Sequence, residues 1–147
     1  MATINRFEDI QAWQEARVLA KSVYAASANG GVARDFGLRD QVRRAATSVL
    51  SNIAEGFERG GDWEFLHFLS LAKGSCGEMR AQLCVALDQG YLDEAAFRIL
   101  YEHSDRISRI LGGFMIYLRH SPLRGPKFKS PADLKGRETL DPEPETV

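Results

Sequence analysis

Residues 62–89 read DWEFLHFLSLAKGSCGEMRAQLCVALDQ, and the apolar positions Phe65, Leu69, Ala72, Cys76, Met79, Leu83 and Ala86 return in alternating steps of three and four. A mean step near 3.5, held this long, puts all seven side chains on one side of a helix and marks a bundle or coiled coil, not a strand. The opposite side carries Ser70, Gly74, Gly77 and Ala81, spaced four, three and four. A glycine inside a helix costs about 1 kcal/mol relative to alanine, so two of them need a reason. Either they are tolerated surface residues, or the row of small residues lets another backbone approach closely, which predicts contact with a second copy of the chain. Trp63 projects on the same outer side. It reads as a cap over the preceding glycine turn or as an interface anchor.

Outward from this stretch the same periodicity occurs three more times. A helix from about Phe7 to Ala28 lines up Ile10, Trp13, Ala16, Leu19, Ala20 and Val23. A second, from about Leu38 to Glu58, lines up Leu38, Val42, Ala46, Val49, Ile53 and Phe57. A last one, from about Asp93 to Arg119, lines up Phe97, Leu100, Ile107, Leu111, Phe114 and Leu118. Asn29-Gly30-Gly31 predicts the end of the first helix and Gly60-Gly61 that of the second, while Gly90-Tyr91 breaks the third from the fourth. Asp62 and Asp93 are placed as N-caps. Such short connections make successive helices antiparallel neighbours, so the expected fold is all-α, an up-down-up-down four-helix bundle.

The bundle domain is expected over residues 1–119 and a tail over 120–147. All five prolines, Pro122, Pro126, Pro131, Pro142 and Pro144, lie in that tail, whose basic residues come first, interrupted only by Asp133, and acidic residues last. This composition predicts a mostly disordered segment. The 147-residue chain is one domain's worth, with 44% hydrophobic and 27% charged residues and a net charge of −1. That charge argues against a strongly basic nucleic-acid binder. No apolar run approaches the roughly 20 residues that span a bilayer, and the N-terminus lacks the pattern of a signal peptide. The expectation is a cytoplasmic protein with no membrane partner. Cys76 and Cys84 fall eight residues apart on one helix, roughly 12 Å at a helical rise, beyond disulfide reach. Both read as reduced, core or near-core residues.

No catalytic constellation emerges. His67, His103 and His120 share no metal-ligand spacing with each other or with the cysteines, and the common phosphate, dinucleotide and nucleophile motifs are absent. Glu64 and His67 form a single Glu-x-x-His pair, where a di-iron bundle needs two. The chain therefore reads as a non-enzyme without cofactor or metal. On the second helix a polar stripe, Gln41, Ser48, Asn52, Glu55 and Arg59, runs beside the apolar one, with Arg44 near it and Arg43 on the other flank. The stripe is either a solvated surface with Glu55 and Arg59 paired, or a polar network shared with a neighbouring helix or subunit.

Several of these residues carry a family likeness. Phe36-Gly37-Leu38, Gln41, Arg43-Arg44-Ala45-Ala46, Ser48 and Asn52-Ile53-Ala54-Glu55-Gly56 resemble the signature of the bacterial four-helix bundle proteins known as 23S ribosomal RNA intervening-sequence proteins. The likeness extends from Phe7 and Trp13-Gln14 in the first helix through Gly74-Ser75 in the third to Gly90-Tyr91. It implies an antiparallel bundle assembling into a homopentameric ring. It also implies kinship with the accessory variability determinant proteins of retroelements, which are basic and bind nucleic acid. The chain departs from the pattern in three ways. Leu50 stands where a proline is usual, which should leave the second helix straighter. Val32-Ala33-Arg34-Asp35 lacks another common proline. From Arg6 to Arg119 there are 14 basic against 15 acidic residues, without the positive charge of the retroelement relatives.

Two functional expectations follow. One is an oligomeric interaction scaffold, meeting other copies through Trp63, Ser70, Gly74, Gly77 and Ala81, with Gln41, Asn52, Glu55 and Arg59 as a polar network and with an unidentified protein partner. The other is an RNA- or DNA-binding accessory protein, using Arg43, Arg44 and Arg59 repeated around a ring.

Overall fold

The computed structural model describes residues 3–120, which are helical and without a strand; the sequence expectations for residues 121–147 fall outside them. A 3-10 turn at Phe7–Asp9 leads into α1 (Gln11–Ala26), α2 (Gly30–Arg34), α3 (Phe36–Arg59), α4 (Asp62–Asp88) and α5 (Glu94–His120). The four long helices form an antiparallel bundle: α3 packs on α1 and α4, α5 packs on α1 and α4, and α1 lies diagonally across from α4. The 3.5-residue pattern fills the centre. Of the apolar positions it picks out, only Trp13, Phe97 and Phe114 are half-buried and the rest are buried.

The element boundaries differ from expectation in three places. Ile10 is extended (φ −76, ψ 122), so the first helix begins after a separate turn that is held by Asp9, whose carboxylate accepts from the backbone N–H of Asn5 and Arg6. Those bonds lower the Asp9 pKa. Gly30, with φ 72, opens a five-residue helix of its own, where the sequence reads only as a helix end. Asp62 is not a cap: extended Gly61 takes that position, and the Asp62 carboxylate is buried in the first turn. There the helix dipole favours negative charge. Asp93 does cap, its Oδ1 accepting from Ala96 N–H at 2.7 Å. Gly60 ends α3 in the left-handed region at φ 81. With Leu50 in place of proline, α3 runs unbroken for 24 residues.

Two glycines are placed by close approach. A Cβ on Gly56 would sit 2.5 Å from the Phe68 Cβ and 3.1 Å from Phe65 Cδ2, so only hydrogen fits where α3 meets α4. A Cβ on Gly31 would overlap the Tyr91 ring. Tyr91 in turn donates its hydroxyl to Asp35 Oδ2 at 3.2 Å, while Asp35 Oδ1 accepts from Leu38 N–H at 3.1 Å. One carboxylate thus caps α3 and ties it to the turn between α4 and α5. Within the family-like signature, Gly56 and Tyr91 therefore act in packing.

Gly56→Ala should lower stability by about 1–3 kcal/mol through overpacking, read as a lower urea midpoint at unchanged slope.

Candidate functional site

α4 is apolar on two sides. Its inner side, from Phe65 to Ala86, closes the core. Its outer side carries Trp63, Leu71 and Val85 at 56%, 43% and 47% exposure, set among exposed Ser70, Gly74 and Ala81 and half-buried Gly77. A Cβ on Gly74 would meet nothing within 4 Å, and one on Gly77 only the end of Arg80 at 3.8 Å. Neither glycine is needed for the bundle itself, unlike Gly56 and Gly31. The helix bears their conformational cost with no gain inside the chain. Leu71, Val85 and Cys84 extend this face beyond the ridge read from sequence; the signal was there in the i,i+4 step from Ala81 to Val85.

Cys84 is exposed, a correction to its reading as a near-core residue, because it sits on the flank of that outer face. Cys76 is buried against α5, where Ser104 Oγ donates to the Cys76 carbonyl at 3.0 Å. Burial pushes its thiol pKa up to about 11, against the opposing pull of Arg80, the Ser104 hydrogen bond and Lys73.

The polar residues of α3 divide. Asn52 Nδ2 donates to the carbonyl and the hydroxyl oxygen of Ser48, both at 2.9 Å, and the Ser48 and Ser75 hydroxyls pair across to α4 at 3.0 Å. Gln41 is exposed at the other end of the helix. Glu55 and Arg59 form an exposed i,i+4 pair at 3.0 Å, with Arg59 over the Phe68 ring. Such a pair contributes a few tenths of a kcal/mol. The arginines form no common patch. Arg43 is half-buried, donating to Ser27 Oγ at 2.7 Å and to the Tyr24 carbonyl at 3.5 Å with its guanidinium over the Tyr24 ring. Arg59 lies 16 residues further along, roughly 24 Å at a helical rise. Arg44 is exposed.

Among the described residues no group of three or more His, Cys, Asp or Glu could hold a metal, and no helix is long and apolar enough to cross a membrane. His103 Nε2 pairs with Glu15 Oε2 at 2.6 Å and Arg106 with the same carboxylate at 3.4 Å, binding α1 to α5.

The fold and this outer face define an antiparallel four-helix bundle whose α4 exposes three large apolar side chains on the side away from the core. The chain belongs to the 23S rRNA-intervening sequence protein family, whose model matches residues 8–113. A solved protein of unknown function from the S23 ribosomal protein family of Bacteroides thetaiotaomicron shares the fold, with a TM-score of 0.65 and 19% identity over 71% of this chain and 97% of that one. Curated proteins yield no match.

In the folded protein at pH 8, thiol reagents should leave Cys76 unmodified, and both cysteines should react in urea; mass spectrometry of the labelled peptides reads the outcome.

Proposed function

We propose that this chain is a non-catalytic scaffold that assembles with copies of itself through the outer face of α4, and that the assembly presents a surface to a further partner. The observation carrying this reading is the uncovered row of small residues on α4, flanked by three exposed large apolar side chains. A monomer has no use for two helical glycines at positions where nothing but the end of Arg80 comes near. Small residues allow close backbone contact, and clustered apolar exposure of this kind marks interaction surfaces. The ring of five implied by the sequence likeness is the closed form proposed for it.

Binding to RNA or DNA through Arg43, Arg44 and Arg59 has less support. Arg43 is committed to α1 and Arg59 to Glu55 and Phe68, and the net charge is −1. Phosphate contacts would make such binding fall steeply with salt, so a gel-shift titration at about 50 and 200 mM salt separates the readings. Binding at the lower salt that is lost at the higher would favour the nucleic-acid reading.

Light scattering on the native protein at micromolar concentration should give a mass several times that of the chain. Gly74→Gln with Gly77→Gln should reduce it to the monomer mass with the helical circular-dichroism signal intact. A native protein that is monomeric, or a double variant of unchanged mass, would remove self-assembly through α4.

A further inference from the structure

The uncovered face of α4 needs a receiving surface on the next copy, and the bundle has a candidate on its α1–α5 side. There Ile4, Ile10, Ile110, Gly113, Phe114 and Tyr117 line an open, mainly apolar groove of about 500 Å³. We infer that the groove between the start of α1 and the end of α5 receives Trp63 from a second copy, so that each copy offers its α4 knob on one side and its groove on another. The inference rests on the self-assembly proposed above and adds which surfaces meet.

Height along the bundle is the first argument. In a ring whose axis runs along the helices, rotation keeps every residue at its own level. Trp63 opens α4 two residues before Phe65, and the Phe65 ring packs edge-on against Phe114 at 5.6 Å. Phe114 is itself a wall of the groove. Knob and groove are therefore level. The match continues along the helices. Arg80 lies over Tyr101, which sets Ala81 and Val85 near the level of Ile99. Val18, one turn on from Glu15 where it meets His103, reaches the same level. Val18 and Ile99 are 56% and 69% exposed. Val18 and Ile99 thus add exposed apolar side chains to the α1–α5 side at the level of the far end of the α4 ridge.

Direction is the second argument. Faces that point back to back build a filament, whereas faces inclined to one another can close a ring. α4 occupies one corner of the bundle, and the groove opens on the flank between the diagonal helix α1 and the adjacent helix α5. These two directions are inclined. Charge is the third argument. Leaving aside buried Asp62, α4 bears three carboxylates and two cations, while α1 and α5 together bear six cations and four carboxylates and Asp9 lines the groove. The α4 side is thus net negative, with one carboxylate in excess, and the α1–α5 side, Asp9 included, net positive by one.

Three variants of the full chain test this by sedimentation velocity. Trp63→Ala removes the knob. Gly113→Gln fills the groove, and because a Cβ at Gly113 meets nothing within 4 Å the new side chain can leave the backbone without striking the bundle. Gly113→Ala is too small to fill it and serves as the control. Trp63→Ala and Gly113→Gln should each weaken assembly about tenfold or more, with the helical signal unchanged, and Gly113→Ala should assemble as the native chain does. If the native protein assembles, and Gly74→Gln breaks it while Trp63→Ala and Gly113→Gln do not, the groove is not the receiving surface and self-assembly through α4 stands. A native protein that stays monomeric overturns the self-assembly reading first, and this inference with it.

Discussion

The close contact of α3 with α4 is the constraint on which the rest of this bundle depends. At Gly56 the two backbones come near enough that a methyl group would strike Phe68 and Phe65. That approach brings Phe57 edge-on to Phe65, and Phe65 edge-on to Phe114, so an aromatic file runs from α3 through α4 to α5. Further along, the Ser48 and Ser75 hydroxyls satisfy each other across the same contact, and Ser104 satisfies itself on the Cys76 carbonyl. Small side chains sit where helices touch, and the Ser48, Ser75 and Ser104 hydroxyls there find partners. Burying them unpaired would cost far more than the hydrogen bonds return.

Because α4 is held so firmly by its inner side, its outer side is free to serve something else. Glycine meets close packing at Gly56 on α3 and at Gly31 in α2, where a side chain would collide with α4 or with Tyr91. On the outer side of α4 glycine stands where a side chain would meet open space. The same residue type thus has two physical meanings in one chain. What separates them is the surrounding packing: Gly56 and Gly31 answer to Phe68 and Tyr91, whereas Gly74 and Gly77 answer to no backbone or ring of this chain.

Much of the architecture was legible in the residues. Helix positions follow from a spacing that depends only on 3.6 residues per turn, and left-handed glycine at position 60 and an aspartate cap at 93 are local chemistry. The Gly30–Arg34 helix and the demotion of Asp62 were not legible, since they depend on Tyr91 and the core claiming space from far along the chain. The polar stripe on α3 was legible as a stripe. Its division into a Ser48–Asn52–Ser75 network and an exposed Glu55–Arg59 pair was not, because that turns on where α4 lies.

The sequence by itself determined four amphipathic helices, their antiparallel order, and a third long helix with apolar or small residues on both sides. Periodicity within a helix is a local property, and each of these follows from it. Tertiary structure alone decided that Arg43 is bound to Ser27 and Tyr24, and that Cys84 is exposed while Cys76 is buried. It alone set Trp63 level with the groove between α1 and α5. Each of those is a relation between helices far apart in the chain, governed by how their surfaces interlock, and no spacing inside one helix contains it.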